Sequence, residues 1–415
     1  MSWVEEEEWK YFRCGGRHIL FEPMGKQPLS KGLLLRVRRQ DARQFTSLEV
    51  TEEQRFVRDF FGTNIGFHYL PKAYNVSVST GFLCELSRSL HCQLVEGKDV
   101  DVLSKSVILI RDQRKVPCTT AVCSEDCICI EWKPKYMLLP RSRLVPAPIS
   151  QYKYRYYRSN LKNFQSEDSL VYTPEDILSF QHDRIRRALV SLIRQKSKYL
   201  QLLHPHQPEP ISSTILETKL DILVHIICKE AILFSRLRMI QQLDILDYEG
   251  AKLALEALET LKDSDLEKLE KKIYGKSFTP GWLKEELLYL NSFHDMIFDS
   301  DEEETRMHWC LTGDIQKLER SFLQGLSCLH SLESGELERI LGDFLYSTIT
   351  KDCSLLISFV QVSENSNCYL SDMWKPIYIE QRMYYYSISV IDLEPKSLKK
   401  LKIWLENDQF LFQFP

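Results

Sequence analysis

The alternation of apolar and polar positions divides the chain into three stretches. Leu33, Leu35 and Val37 fall on one face of a two-residue period and Leu34, Arg36 and Arg38 on the other, which predicts a half-buried strand over 33–38. Upstream, Gly15 and Gly16 separate Tyr11-Phe12 from Ile19-Leu20-Phe21, the pattern of a β-hairpin. Ser106 to Ile110 and Cys127 to Lys133 read as further strands, the second stopped by Pro134, which has no N–H to give to a ladder. This first stretch is expected to hold one or two helices, and Thr51 to Phe61 reads as helical.

From Thr173 onward the period lengthens. Thr173-Pro174-Glu175-Asp176 supplies an N-cap, a proline at the first helical position and an acidic first turn. Ile177, Phe180, Ile185, Ala188, Leu189 and Leu192 follow at three- and four-residue steps. Thr214 to Asp247 lacks Gly and Pro and predicts one long or two abutting buried helices. Cys353 to Val362 and Tyr384 to Leu393 then return to strand. Strands, helices and a final strand pair predict an α+β fold in two lobes, with no internal repeat.

At 415 residues, 44% of them apolar, the chain can bury one large bilobal core, and 27% charge with sparse Gly and Pro argues against extended disorder. No run approaches the roughly 18 apolar residues of a membrane span, and Met1 to Glu8 is acidic rather than leader-like. A cytoplasmic or nuclear protein with reduced thiols is therefore expected. Cys118, Cys123, Cys127 and Cys129 lack the paired spacing of a zinc site and read as buried strand thiols. His204 and His206, and the acidic run Asp299 to Glu304, read as loop.

Charge changes the picture. The net charge is -4, yet residues 133–162 carry Lys133, Lys135, Arg141, Arg143, Lys153, Arg155, Arg158 and Lys162 without one Asp or Glu. Lys396, Lys399, Lys400 and Lys402 form a second cluster, and Arg36, Arg38, Arg39 and Arg43 a third. Such segregation in an acidic chain predicts a cleft that focuses positive potential on phosphate. Asp352 and Asp392 adjoin apolar strands, where an acid is costly unless it holds a metal, takes a proton or meets a cation. Carboxylates and clustered cations together are what phosphoryl transfer needs.

The usual nucleotide motifs are missing. Tyr274-Gly275-Lys276-Ser277 copies the end of a P-loop, but Glu270 stands where its first glycine belongs. Residue physics alone thus reaches a phosphate-handling protein: a kinase, or a catalytically silent binder of polyanions. A single-stranded nucleic-acid binder is the third reading, since Tyr152 to Arg158 interleaves aromatics and cations.

Several segments carry a resemblance. Glu131-Trp132-Lys133-Pro134-Lys135 resembles the E-I-K-P-K signature of the inositol-pentakisphosphate 2-kinase family. Thr350 to Ser358 is similar to its A-K-D-C-S-I-M-I-S strand, and Ile391-Asp392-Leu393 with Lys396 to its I-D-L-x-x-K. Leu243 to Gly250 resembles L-D-x-L-D-I-E-G, and Trp9 to Phe21 the glycine-rich turn. The pieces keep the family's order from residue 9 to about 408, so the likeness spans nearly the whole chain.

The resemblance implies a kinase-like N-lobe over 1–111 and a C-lobe over 112–415, with ATP and Mg²⁺ as cofactors. It implies that Gly15, Gly16, Arg17 and His18 cover the ATP phosphates, with Arg36 replacing the usual strand lysine. Arg111 and Asp112 would form the hinge beside adenine, and Glu131 and Lys133 the nucleotide side of the cleft. Asp352 is the implied base, with Lys133 beside it in the catalytic set, and Asp392 with Asp352 the metal ligands. Lys135, Arg158, Lys162, Lys396, Lys400 and Trp404 would hold inositol pentakisphosphate. The expected partners are that substrate and ATP, with no membrane and no nucleic acid, on a monomer.

The sequence also departs from the family. Lys400 and Trp404 stand where it has Arg and Tyr, and a lysine loses bidentate phosphate geometry. The M-H-Q-x-L-K segment keeps its lysine as Lys162 but not its histidine. No counterpart is found for the N-lobe arginine that clamps substrate, nor for the Cys/His zinc site of plant members after Gly250.

Overall fold

Strands of alternating pattern must pair to satisfy their backbones, and among the described residues they do so in two antiparallel sheets. The computed structural model describes residues 3–25, 27, 30–45, 48–92, 99–115, 127–139, 142, 144–147, 149–153, 173–194, 199–203, 219–244, 246–258, 262–276, 333–362 and 373–413. The first sheet contains β1 (Trp9–Cys14), β2 (His18–Pro23), β3 (Leu33–Arg38), β4 (Ala73–Ser77) and β5 (Ser106–Arg111), in the order β1-β2-β3-β5-β4. The second contains β6 (Ile128–Trp132), β7 (Leu200–Leu203), β8 (Ser354–Val362), β9 (Lys375–Ile379) and β10 (Arg382–Ile391), in the order β7-β6-β8-β10-β9. The predicted hairpin at the glycine pair is the β1–β2 turn, closed by the Gly15 N–H donating to the His18 carbonyl at 2.8 Å.

The class is α+β, as the element order predicts. Two abutting helices, Leu220–Lys229 and Ala231–Gln241, occupy the Gly- and Pro-free stretch. They pack with the helix Ser334–Asp352 and the second sheet into one large apolar core. A smaller core fills the first sheet around Ile19, Phe21, Leu35, Val37, Leu83 and Leu109. The helix Val50–Phe56 widens into a π-helical stretch, Val57–Gly62, and sends Phe56, Phe60 and Phe61 into the large core instead of the small one.

The long helical period from Thr173 is interrupted. A single turn, Pro174–Ile177, precedes the helix His182–Arg194, and between them Phe180 takes a φ of 51°. Ser179 Oγ donates to the Asp176 carbonyl at 2.6 Å, a local bond that competes with the helix. Thr173 is the N-cap, but its hydroxyl donates to Asp176 Oδ2 at 2.6 Å and caps no backbone N–H. No helix among the described residues is long and apolar enough to cross a membrane.

Candidate active site

Strand register builds the site. In the second sheet Ile391 stands opposite Ser354, and Trp132 opposite Leu355, so β6 and β10 end where β8 begins. Asp392 leaves β10 there, Asp352 and Cys353 lead into β8, and Glu131 to Lys135 run off β6. Lys133 makes the last ladder contact, its N–H donating to the Tyr199 carbonyl at 2.7 Å, and Pro134 ends the pairing. Lys135 and Asp392 both adopt positive φ, 57° and 62°, a conformation that costs a side-chain-bearing residue about 1–3 kcal/mol and gathers at functional sites.

Two ion-pair groups result. Lys133 Nζ lies 3.4 Å from Glu131 Oε1 and 3.5 Å from Asp392 Oδ2. Ser354 Oγ stands 3.0 Å from Glu131 Oε1 and 2.9 Å from Asp392 Oδ2, within reach of either carboxylate. Beside them, Asp352 holds Lys135 Nζ at 2.7 Å on one oxygen and Lys396 Nζ at 2.6 Å on the other. Burial disfavours the Asp352 charge, but Lys396 and Lys135 outweigh it and hold the carboxyl well below the usual carboxylate range. Burial likewise opposes the charge on Lys133, and Asp392 and Glu131 more than offset it. The Asp352 side chain is nevertheless 50% exposed, so this is an accessible carboxylate. Cys353, between the two groups, is buried and its thiol is pushed up to about 12, too high for a nucleophile.

The first sheet meets this end of the second through arginines. Arg36 pairs with Glu394 and sits 3.1 Å from His18 Nδ1. Arg17 donates to the Pro395 carbonyl at 2.5 Å and to Glu53 at 2.8 Å, while Arg13 reaches Glu131 at 3.0 Å. Burial, with Arg36, Arg17 and Arg38 close by, drives the His18 pKa well below its ordinary value, so the ring is neutral. Lys400 falls below the ordinary lysine value through burial and the nearness of Lys396 and Arg17. It therefore belongs to the same cationic patch.

The other expected residues spread out. Gly15 and Gly16 form the β1–β2 turn, and Arg111 ends β5 opposite Leu33. Asp112 is buried and gripped by Arg114 through two bonds of 2.8 Å. Trp404 packs beside Phe344, ring centres 6.2 Å apart, at the edge of the large core. Arg158 and Lys162 lie outside the described residues, as do Cys118, Cys123, His204, His206 and the acidic run 299–304.

Some of the basic clusters are consumed structurally. Arg38 holds Glu53 at 3.1 Å, Arg39 holds Asp41, and Lys153, only 2% exposed, sits among Asp247, Glu249 and Asp408. Glu394, Glu53, Arg13 and Ser354 are site neighbours that sequence reasoning misses. A local signal exists for Glu394, which shares its short segment with Asp392 and Lys396, and for Ser354, two residues from Asp352, but not for Glu53 or Arg13.

The profile of the inositol-pentakisphosphate 2-kinase family matches residues 11–410. The chain belongs to that family. An inositol-pentakisphosphate 2-kinase of Arabidopsis thaliana is 22% identical over 480 aligned positions, covering 99% of this chain and 93% of the plant protein. Two proteins of the same name from Oryza sativa, subspecies indica and japonica, are each 35% identical over 98 residues. Those two matches cover 22% of this chain and 20% of either rice protein, so the chain matches only about a fifth of their length.

Among the described residues no group of three or more His, Cys, Asp or Glu is arranged to hold a metal ion. Mg²⁺ does not need one, because it keeps several waters and binds one or two carboxylates beside substrate phosphates. Asp392, 42% exposed and leaving β10 at positive φ, fits that requirement, and Asp352 acts with it on the charge of Lys133.

Proposed function

We propose that this protein is an ATP-dependent kinase that phosphorylates the 2-hydroxyl of inositol pentakisphosphate to give inositol hexakisphosphate. Membership of the family supports the reaction class. The single observation that carries the reading is Asp352, an accessible carboxylate clamped between Lys135 and Lys396 and next to the Lys133–Asp392 pair.

The molecule is read as two kinase-like lobes, 1–111 and 112–415, with ATP between them. The β1–β2 turn and Arg36 approach ATP from the first sheet, Glu131 and Lys133 lie under it, and Arg111 and Asp112 line the adenine end. Asp392, with Asp352, would hold Mg²⁺, which supplies charge neutralisation at the transferred phosphoryl group. Lys135, Lys396 and Lys400 take substrate phosphates, each charge-assisted contact stabilising by about 1.5–3 kcal/mol; Arg158, Lys162 and Trp404 complete the expected substrate set.

A polyphosphate that draws Lys135 and Lys396 onto itself removes the two cations that keep Asp352 a weak base. The carboxylate then gains proton affinity while facing the accepting hydroxyl. Substrate binding and base activation become one event.

Incubation of the protein with Mg-ATP and a panel of inositol phosphates, resolved by chromatography, tests this. Conversion of the pentakisphosphate to hexakisphosphate is expected. Binding without transfer would establish the silent binder instead. A nucleic-acid role would require oligonucleotide affinity with a steep salt slope and none for ATP. The burial of Lys153 inside three carboxylates removes one cation from the aromatic-basic stretch on which that role rests.

A further inference from the structure

We infer that Gln241 is a positioning residue for the candidate substrate site, holding Lys135 in the geometry from which it meets Asp352. The inference rests on the kinase reading of that site. Gln241 ends the helix Ala231–Gln241 and is fully buried. Its side-chain amide grips the chain on both sides of Tyr136. Oε1 accepts from the Met137 N–H at 2.8 Å, and Nε2 donates to the Lys135 carbonyl at 2.8 Å.

A two-point grip selects one backbone conformation, and here that conformation is an uncommon one. Lys135 has a φ of 57°, in the left-handed region that a residue with a β-carbon keeps only when its surroundings impose it. Pro134 before it has no N–H, so β6 cannot supply a ladder bond at that point. The buried amide of Gln241 supplies the restraint.

The same turn also fixes the other partner. The Gln241 carbonyl accepts from Ser347 Oγ at 2.9 Å, and three residues on, Asp244 Oδ2 is 2.8 Å from Lys351 Nζ. Ser347 and Lys351 both belong to the helix Ser334–Asp352, which ends at Asp352. Residues 241–244 therefore reference the backbone of Lys135 and the helix carrying Asp352 to one point. From there the ammonium and carboxylate meet at 2.7 Å. The role needs an amide: a carboxylate at 241 keeps the bond from Met137 but cannot donate to the Lys135 carbonyl, and a leucine keeps neither.

The test uses Gln241→Glu and Gln241→Leu in the full chain, with folding checked by thermal unfolding. The readouts are kcat/KM for inositol pentakisphosphate, KM for ATP, and calorimetric binding of the pentakisphosphate. Misplacement of a substrate-gripping group should lower kcat/KM for the pentakisphosphate about 100-fold, with weakened binding. KM for ATP should stay within about twofold, and in a Lys135→Ala background Gln241→Glu should add less than about twofold more. Equal loss in both backgrounds, or equal loss on ATP, would assign Gln241 to the core alone and overturn the inference. Should neither variant fold, Ser347→Ala, which leaves the amide in place, must show the same selective loss on a smaller scale; unchanged kinetics there would also overturn it. A wild-type protein that neither transfers phosphate to nor binds the pentakisphosphate would sink the kinase reading itself. That outcome is separate from wild-type activity that Gln241→Glu leaves intact.

Discussion

Lys396 and Asp352 face each other at 2.6 Å, one from the segment that follows β10 and the other from the last residue of the helix that precedes β8. A helix C-terminus disfavours a negative charge, so Asp352 depends on Lys396 and Lys135 to stay ionised there. Asp352→Ala should reduce turnover by at least about 100-fold while the protein still folds, with a measurable loss of stability because Lys135 and Lys396 lose their shared partner. Steady-state assay alongside calorimetric unfolding checks both halves.

The same pair sets a pH dependence. Asp352 titrates below the ordinary carboxylate range in the folded protein, so its contribution to stability is complete above the unfolded value of about 4 and is lost as pH falls further. Lys396→Ala removes one of the two cations responsible. The acid-side fall in folding stability linked to Asp352 should then be smaller and level off at higher pH than in wild type, with its onset near about pH 4 unchanged, and denaturant titrations between about pH 2 and 5 will read it.

Asp392 predicts a metal phenotype. Asp392→Asn keeps the shape and a Ser354 contact but loses the charge. The Mg²⁺ concentration for half-maximal activity should rise at least about tenfold, while the folded state persists because the wild-type side chain is 42% exposed. An unchanged Mg²⁺ requirement would move the metal elsewhere.

Lys153 is a stability element. Its ammonium lies 2.7 Å from Asp247, 3.1 Å from Glu249 and 2.6 Å from Asp408, all buried. Removing one partner of a buried ion group leaves uncompensated charge, so Lys153→Met should cost about 3–5 kcal/mol. Urea unfolding measures it.

Asp343 has the opposite sign to Asp352. It lines a cavity with Ile273 and Tyr346, and burial, reinforced by Asp244 and partly offset by Arg339, pushes its pKa up to about 8. A carboxyl raised on folding contributes most below its unfolded value of about 4 and loses that contribution as pH climbs toward 8. Asp343→Asn, which cannot ionise, should gain stability relative to wild type between pH 5 and pH 8, on the order of 1 kcal/mol or more. Parallel melts at those two pH values give the answer.

Much of this was legible in the sequence because the site sits at strand ends. Pro134, the acids before β8 and after β10, and the alternation in β3 each leave a local mark. The helix Ser334–Asp352 left none of the usual kind. From Phe344 to Lys351 every residue is buried, so there is no polar stripe to set the period against. The break at Phe180 hid for a different reason: its apolar side chain keeps the helical step while its backbone leaves it. Ion pairs between distant segments, Arg36 with Glu394 and Arg17 with Glu53, have no local signature at all. Basic clusters show where cations are dense, but they do not say which will be spent on neighbouring acids.

The five residues 392–396 leave little room for change in length. Asp392 answers to Lys133 and Ser354, Glu394 to Arg36, the carbonyl of Pro395 to Arg17, and Lys396 to Asp352. Inserting or deleting one residue there would throw four distant appointments out of step at once. Point substitutions can sample this stretch one contact at a time, but natural variation in its spacing should be close to nil.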